Sequence, residues 1–334
     1  MHSRTERDSM GELQVPGNAL YQAQTQRAVQ NFQFSQLQMP AAFIRALLQI
    51  KKAAATANSQ LGLLDNSIAG AIVHAADTQL QQLDMQQYPL DVFQTGSGTS
   101  SNMNVNEVLA TLASQTLGQN VNPNDHVNLG QSSNDTIPSA IHVSAAVAFN
   151  QQLLPALQQL QTAVHSKAIQ VGAVVKTGRT HLMDAMPVTF GQVLTGWHAQ
   201  LEQARQQLQH QLSALYALAQ GGTAVGTGIN ADPRFATVVC QQLSNNTGLP
   251  FTVAGNFFAA ISTQDSAVAC SGALKRLAVA LMKISNDLRW MNSGPLAGLG
   301  EIALPGAADM GVGDLQPAEI TGLHQALRMG ILIL

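Results

Sequence analysis

Three long stretches of this chain place apolar residues alternately three and four positions apart, and that spacing constrains the fold more than anything else in the sequence. From Phe190 the run is Leu194, Trp197, Leu201, Ala204 and Leu208, extended by Leu212, Leu215 and Leu218. From Ala267 it is Cys270, Leu274, Leu277, Leu281, Ile284, Leu288 and Met291. A third stretch, Val143 to Ile169, repeats it through Leu153, Leu157, Leu160 and Val164. Such a seam belongs to long helices packed at a shallow angle. Three of them predict a mainly α protein built on a long-helix bundle, with surface shared between subunits. A further helix opens at Pro40, runs through Phe43, Ile44, Leu47 and Leu48, and closes near Gly62. Its Lys51 and Lys52 read as a solvated face. Strand signals are few. Thr252-Val253 is one, and Val174-Val175 reads either as a short extended piece or as the end of the preceding helix.

Composition agrees with heavy burial. Of 334 residues, 46% are apolar and only 10% charged, with Gln and Asn supplying much of the polarity. The formal net charge of -3 gives no electrostatic case for nucleic acid. The two cysteines, Cys240 and Cys270, form no CxxC or Cys/His cluster, so neither a zinc site nor a disulfide framework is expected. A reducing, cytoplasmic setting fits. Residues 1 to 8 lack the apolar core of a secretory signal, and no apolar run is long enough to cross a bilayer. The apolar end, Met329 to Leu334, would be a sticky surface unless covered.

Four polar blocks lie beside the helical patterns. They are Thr95 to Asn102, Gln131 to Asp135, Gly178 to His181, and Gly221 to Gly228. Each is dense in Gly, Ser, Thr or Asn. Any one of them can be an ordinary helix cap. Together they exceed what capping requires and make a store of neutral donors for a small polyanion. A phosphate-loop reading is weak. Gly221-Gly222 follows a long helix, and the block holds no Gly-Lys-Ser/Thr. His181 is the one residue in the blocks whose type changes charge near neutral pH, which makes it the candidate for proton transfer. His126, His142, His165, His198 and His210 read as structural or solvated. Asn122-Pro123-Asn124-Asp125 and Asn230-Ala231-Asp232-Pro233 read as turn chemistry. Asn106-Glu107-Val108 reads as the start of a helix, with Glu in the first turn.

Read together, the blocks resemble the fumarase/aspartase superfamily, and most closely class II fumarate hydratase. Thr95 to Val108, Gln131 to Asp135, Gly178 to Ala185 and Gly221 to Asn230 carry the family patterns. Asp8 to Gly11, Ala23 to Arg27, Asn286 to Trp290 and Ser293 to Pro295 resemble it as well. The likeness extends from about Asp8 to Pro305. It implies a fumarase/aspartase-like bundle in a homotetramer, with sites built from three subunits and no metal or organic cofactor. It implies reversible hydration of fumarate to L-malate, a step of the tricarboxylic acid cycle. Ser97, Gly98, Thr99, Ser132, Ser133, Asn134 and Thr180 would bind the dicarboxylate, and His181 would act on the water added or lost. Aspartases usually carry Gln at that place, so His181 favours hydration over an aspartate ammonia-lyase-like reaction. Asn122, Pro123, Asn124 and Asp125 match a second, outer dicarboxylate site, with Asn122 in place of the family's His.

Beyond Pro305 the chain departs from the family. The signature loop there supplies a catalytic Ser, a Lys and an Asn. This chain instead reads Gly306 to Asp314 without Ser or Lys. Residues 306–334 therefore read as unrelated sequence, from a shifted frame or a truncated gene, which leaves the bundle incomplete at the C-terminus. The expected division is an N-terminal helical domain (1–137), a central long-helix domain (138–305) and a divergent tail (306–334). Two readings stand side by side: a fumarate hydratase, and a non-catalytic remnant that binds dicarboxylates or assembles with intact subunits.

Overall fold

A computed structural model describes residues 3–8 and 10–304. The divergent tail, including Gly306 to Asp314 and the apolar end, lies outside the described residues. The chain forms two compact units, one comprising Met1–Val147 with Leu215–Asp265, the other Ala148–Ala214 with the chain from Ser266 onward.

The first unit opens with an antiparallel hairpin, β1 (Ser3–Asp8) and β2 (Gly11–Pro16). Helices α1 (Ala23–Asn31), α2 (Ala41–Gln60) and α3 (Asn66–Gln81) follow. Then come α4 (Thr99–Leu117), a single π turn (Pro123–Val127) and α5 (Ser133–Ala148). The segment Leu215–Asp265 belongs to this unit as well, although the sequence places it with the central helices. The expectation at Pro40 holds: Pro40 is the N-cap of α2, and Leu61 closes the helix by bonding back to Ala57.

The core of this unit is small-residue packing. Ile44, Leu47, Leu48, Ile50, Ala53, Ala54 and Ala57 of α2 are sealed from solvent, as are Ile72 and Ala76 of α3 and Val105, Val108 and Leu109 of α4. Each large apolar side chain buried this completely contributes about 1.5–3 kcal/mol.

Two readings of charged residues are corrected here. Lys51 is not on a solvated face; it is completely buried. Its neighbour Lys52, one residue round the helix, does reach outward and pairs with Asp77 at 2.7 Å. Glu107 does not begin a helix. It sits in the middle of α4, buried, and its carboxylate accepts the backbone N–H groups of Gln22, Gln24 and Thr25 at 2.8–3.1 Å. It thus serves the first turn of a different helix, α1, whose N-cap, Gln22, makes no side-chain capping bond.

The second unit begins with a π turn (Phe149–Leu153) and α6 (Leu154–Gln170). An antiparallel hairpin follows, β3 (Val175–Thr180) and β4 (Met183–Thr189), leading into α7 (Phe190–Leu215). The ambiguity at Val174-Val175 resolves as the start of a strand.

Back in the first unit, β5 (Ala217–Leu218) pairs in parallel with β6 (Thr252–Val253) around α8 (Phe235–Thr247). Leu218 is therefore a buried strand residue and does not extend α7. Short α9 (Phe257–Ser262) closes this unit, and α10 (Asp265–Met291), which belongs to the second unit from Ser266, completes the order.

The third stretch is interrupted: the π turn at Phe149–Leu153 divides it between α5 and α6, Leu153 and Leu157 are buried, Leu160 and Val164 are half-buried, and Ile169 is exposed. The seams of α7 and α10 are as expected. Leu194, Trp197, Leu201, Ala204, Leu208 and Leu212 are buried along α7, and Cys270, Leu274, Leu277, Leu281 and Ile284 along α10. Polar bonds fix the register: Trp197 Nε1 donates to Asp287, and Gln161 Nε2 on α6 donates to Glu202 at 2.8 Å. Among the described residues, no helix is long and apolar enough to cross a membrane.

Candidate functional site

Three of the four polar blocks meet within the first unit. The first enters α4 through Gly98, which sits in the left-handed region at φ +67 and is the helix N-cap. A Cβ there would stand 3.0 Å from the Ile137 side chain, so position and backbone both select glycine. The turn presents Ser97 and Thr99 side by side, with their hydroxyl oxygens 2.7 Å apart. Gly98→Ala is expected to cost about 1–2 kcal/mol from the backbone alone, read as a lowered urea midpoint. It should also displace the Ser97–Thr99 pair, because Ile137 blocks the new methyl group.

The second block forms the start of α5. Ser132 Oγ accepts the Asn134 N–H at 3.2 Å, a local cap. Ser133 and Asn134 each make a side-chain bond to another block. Asn102 Nδ2, from the first block, donates to Ser133 Oγ at 3.0 Å. Asn134 Nδ2 donates to the Ala224 carbonyl of the fourth block at 2.8 Å.

Asp135 is the buried hinge of this arrangement. Its carboxylate accepts Ser132 N on one oxygen and Gly221 N and Thr223 N on the other, each at 2.9 Å. Burial raises its carboxyl above the ordinary range, while those three N–H groups and the Lys51 charge pull it back. Gly221 has φ +100, and an added Cβ would fall 2.5 Å from that of Ala236, so only glycine lets this turn approach α8.

Beneath the first two blocks lies a polar knot. Lys51 Nζ donates to Asn128 Oδ1 at 2.8 Å and to Gln131 Oε1 at 3.0 Å. Asn102 and Asn106 donate to the same Asn128 oxygen, both at 3.2 Å. None of Lys51, Asn102, Asn106, Asn128 or Asp135 is a named site residue in the sequence reading: Lys51 reads there as a solvated face, Asn106 as a helix start, and Asn102 and Asp135 only as members of their blocks. Lys51 could have been found: it falls four residues after Leu47 and three before Ala54, on the apolar stripe of α2.

The third block is not at a helix edge. Gly178, Arg179 and Thr180 belong to β3 of the second unit, and His181-Leu182 is the two-residue turn to β4, with φ +52 and +63. Positive φ at both central positions is the mark of a tight hairpin whose twist matches its strands. Thr180 and His181 are exposed at its tip, beside exposed Leu182, Met183 and Met186. Arg179 does not project freely. It donates to Glu301 at 2.8 Å, and Lys176 stands 3.3 Å from the same carboxylate. Burial works against the charge on Glu301, yet Arg179 and Lys176 outweigh it and hold the carboxyl below its usual value.

At the proposed outer site, Asn122 Oδ1 accepts the N–H groups of Asn124 and Asp125 at 2.8 and 3.0 Å, with Pro123 opening the π turn. His126 Nδ1 accepts the Asn122 N–H at 3.0 Å. These bonds are the turn chemistry expected of the segment. His142 is held by the Ala217 carbonyl at 2.9 Å, and its burial lowers its pKa. Asp232 is tied to Arg234.

Hydroxyls and side-chain amides gathered in this way are neutral donors of the kind that carboxylate oxygens accept from. Comparison with known proteins points the same way. Residues 11–309 match the family model described as Lyase. The chain is 62% identical over 312 residues to fumarate hydratase class II 2 of Pseudomonas aeruginosa, covering 92% of this chain and 68% of that one. It is 49% identical over 333 residues to the class II fumarate hydratase of Thermus thermophilus, covering 97% and 72%. The corresponding enzyme of Xylella fastidiosa is 55% identical, with 90% and 64% covered. The chain thus spans about two thirds of the length of these curated relatives. Among solved structures, the class II fumarase of Schistosoma mansoni superposes with a TM-score of 0.89 at 37% identity, covering 97% of this chain and 74% of that one. Sequence blocks, fold and relatives agree, and the chain belongs to the class II fumarate hydratase family.

Proposed function

We propose that this protein catalyses the reversible hydration of fumarate to L-malate. The observation that carries the reading is the meeting of the first, second and fourth blocks around Asp135 and Asn102. It supports the reading of Ser97, Thr99, Ser132, Ser133 and Asn134 as donors, because bonds among the three blocks hold them on one scaffold. These groups, with Thr180 supplied by a neighbouring subunit as in the family's three-subunit sites, would bind the two carboxylates. His181 would take a proton from water as its oxygen bonds to one alkene carbon. The alkene electron pair would then move toward the far carboxylate. Donors preorganised for that doubly charged aci-carboxylate lower the barrier more than donors matched to substrate alone. Protonation of the second carbon completes malate.

The wider reading follows the family: a cytoplasmic homotetramer. Its support here is apolar surface left outside the seams, at Ile169, Val268, Val279 and Met282, each more than half exposed. A second reading, dicarboxylate binding without turnover, is favoured by one observation: residues 306–314 contain neither Ser nor Lys. Adding L-malate to the purified full chain and following fumarate absorbance separates the two. Sustained growth of the absorbance supports the hydratase. Saturable succinate binding with no absorbance change supports the second reading, and loss of both removes the proposal.

A further inference from the structure

Lys51 sits in the sealed interior of α2. An ammonium there carries a large desolvation cost, and a position that needed only packing would be filled more cheaply by Leu or Met. Among the described residues no carboxylate lies within ion-pair distance of Nζ. Its partners are two neutral amide oxygens, and both are anchored. Asn128 Nδ2 donates to the Gln131 carbonyl at 3.2 Å, and Gln131 Nε2 donates to the Val127 carbonyl at 3.0 Å. The ammonium therefore grips the turn 127–131 directly ahead of Ser132. Asn102 and Asn106 of α4 donate to the same Asn128 oxygen that the ammonium holds, and Asn102 reaches Ser133.

We propose that Lys51 is a positioning residue for dicarboxylate binding: it clamps the 127–131 turn to α2, orients the Asn128 oxygen on which Asn102 and Asn106 of α4 converge, and so sets the spacing between the Ser97–Thr99 pair and the Ser132–Asn134 run. This rests on the reading of those residues as carboxylate donors. The clamp depends on charge, since bonds from an ammonium to amide oxygens are stronger than those from a neutral amine. Burial pushes the Lys51 pKa down to about 7, with Asp135 acting in the opposite sense. The clamp is thus at full strength below about 7 and weakens as pH rises through that value.

Other titratable groups on the elements packed around α2 have their own engagements or lie outward. On α3, Asp77 pairs with Lys52, and His74 is exposed. On α4, Glu107 holds the α1 backbone. In the π turn, His126 holds Asn122, and Asp125 is exposed. Helix α8 carries no Asp, Glu, His, Lys or Arg. Asp135 alone acts on Lys51 electrostatically.

Hydrogen-exchange mass spectrometry on the ligand-free full chain, from pH 6 to 8.5 and corrected for intrinsic exchange, tests the proposal. In the natural chain, segments 99–106 and 127–136 are expected to lose protection together as pH passes about 7, by about tenfold or more, with α3 unchanged. Lys51→Met should exchange at the faster rate already at pH 6 and show no step. Lys51→Arg, charged throughout, should restore protection and also abolish the step. The absence of a step in the natural chain, or a step that survives in Lys51→Met, overturns the proposal. So does a loss of protection in Lys51→Met that spreads equally to α3. Because these readouts use no ligand, failure of the natural chain to bind succinate would remove the dicarboxylate reading while leaving the clamp to be decided by exchange.

Discussion

His181→Asn lowers the rate of malate dehydration by about 10²–10⁴-fold, the usual worth of a positioned acid/base group, with KM changed far less. The reason is geometric as much as chemical. His181 occupies the first central position of a two-residue turn at φ +52, a conformation that Asn tolerates well. The substitution therefore removes the imidazole while leaving the hairpin intact. The accompanying ion pair from Arg179 to Glu301 continues to hold β3 in place. Steady-state kinetics and circular dichroism on the same preparations check this. A variant that retains more than about a tenth of the rate would mean that another group moves the proton. A rise in KM at constant kcat would make His181 a binding residue.

Asp135→Ala lowers folding stability by about 3–5 kcal/mol, at about 1–3 kcal/mol for each of the three buried donors it leaves unsatisfied. The raised carboxyl pKa shows that burying this charge is costly in itself. Deleting it does not recover that cost, because Ser132 N, Gly221 N and Thr223 N are left buried without an acceptor. Asp135→Asn should also destabilise. Its amide offers one acceptor oxygen where the carboxylate offers two, and turns an NH2 group toward backbone donors. Urea denaturation measures both. A loss below about 1 kcal/mol for Asp135→Ala would show that the junction of the second and fourth blocks is held by packing alone. In either variant the orientation of Asn134, tied to Ala224 in the fourth block, should suffer first, so binding should weaken before the global fold is lost.

The long seams were legible because they are local. A residue three or four places along a helix is a spatial neighbour whatever the rest of the chain does, so Leu201, Leu208, Leu274 and Leu281 declare their burial in sequence. Turn chemistry was legible for the same reason: Asn122 bonds the backbone two and three residues on. Lys51 was misread because it stands beside Lys52, and two adjacent lysines look alike in sequence. They point about 100° apart on a helix, one toward the core and the other toward Asp77. Glu107 was misread because its partners lie more than eighty residues earlier, in a helix whose need for a cap is invisible from α4.

The sequence by itself determined the kind of fold, the density of neutral donors, and the single histidine among them. Helical period, turn preference and side-chain chemistry are properties of short segments, so they survive without knowledge of distant contacts. Only the tertiary structure decided which blocks meet. It brought the first, second and fourth together through Asn102, Asn134 and Asp135, and it placed His181 at a hairpin tip in the second unit. It also buried a lysine beneath the first two blocks. Those outcomes depend on which buried donors find acceptors across long loops, and that balance of desolvation against hydrogen bonding exists only once the chain has closed on itself.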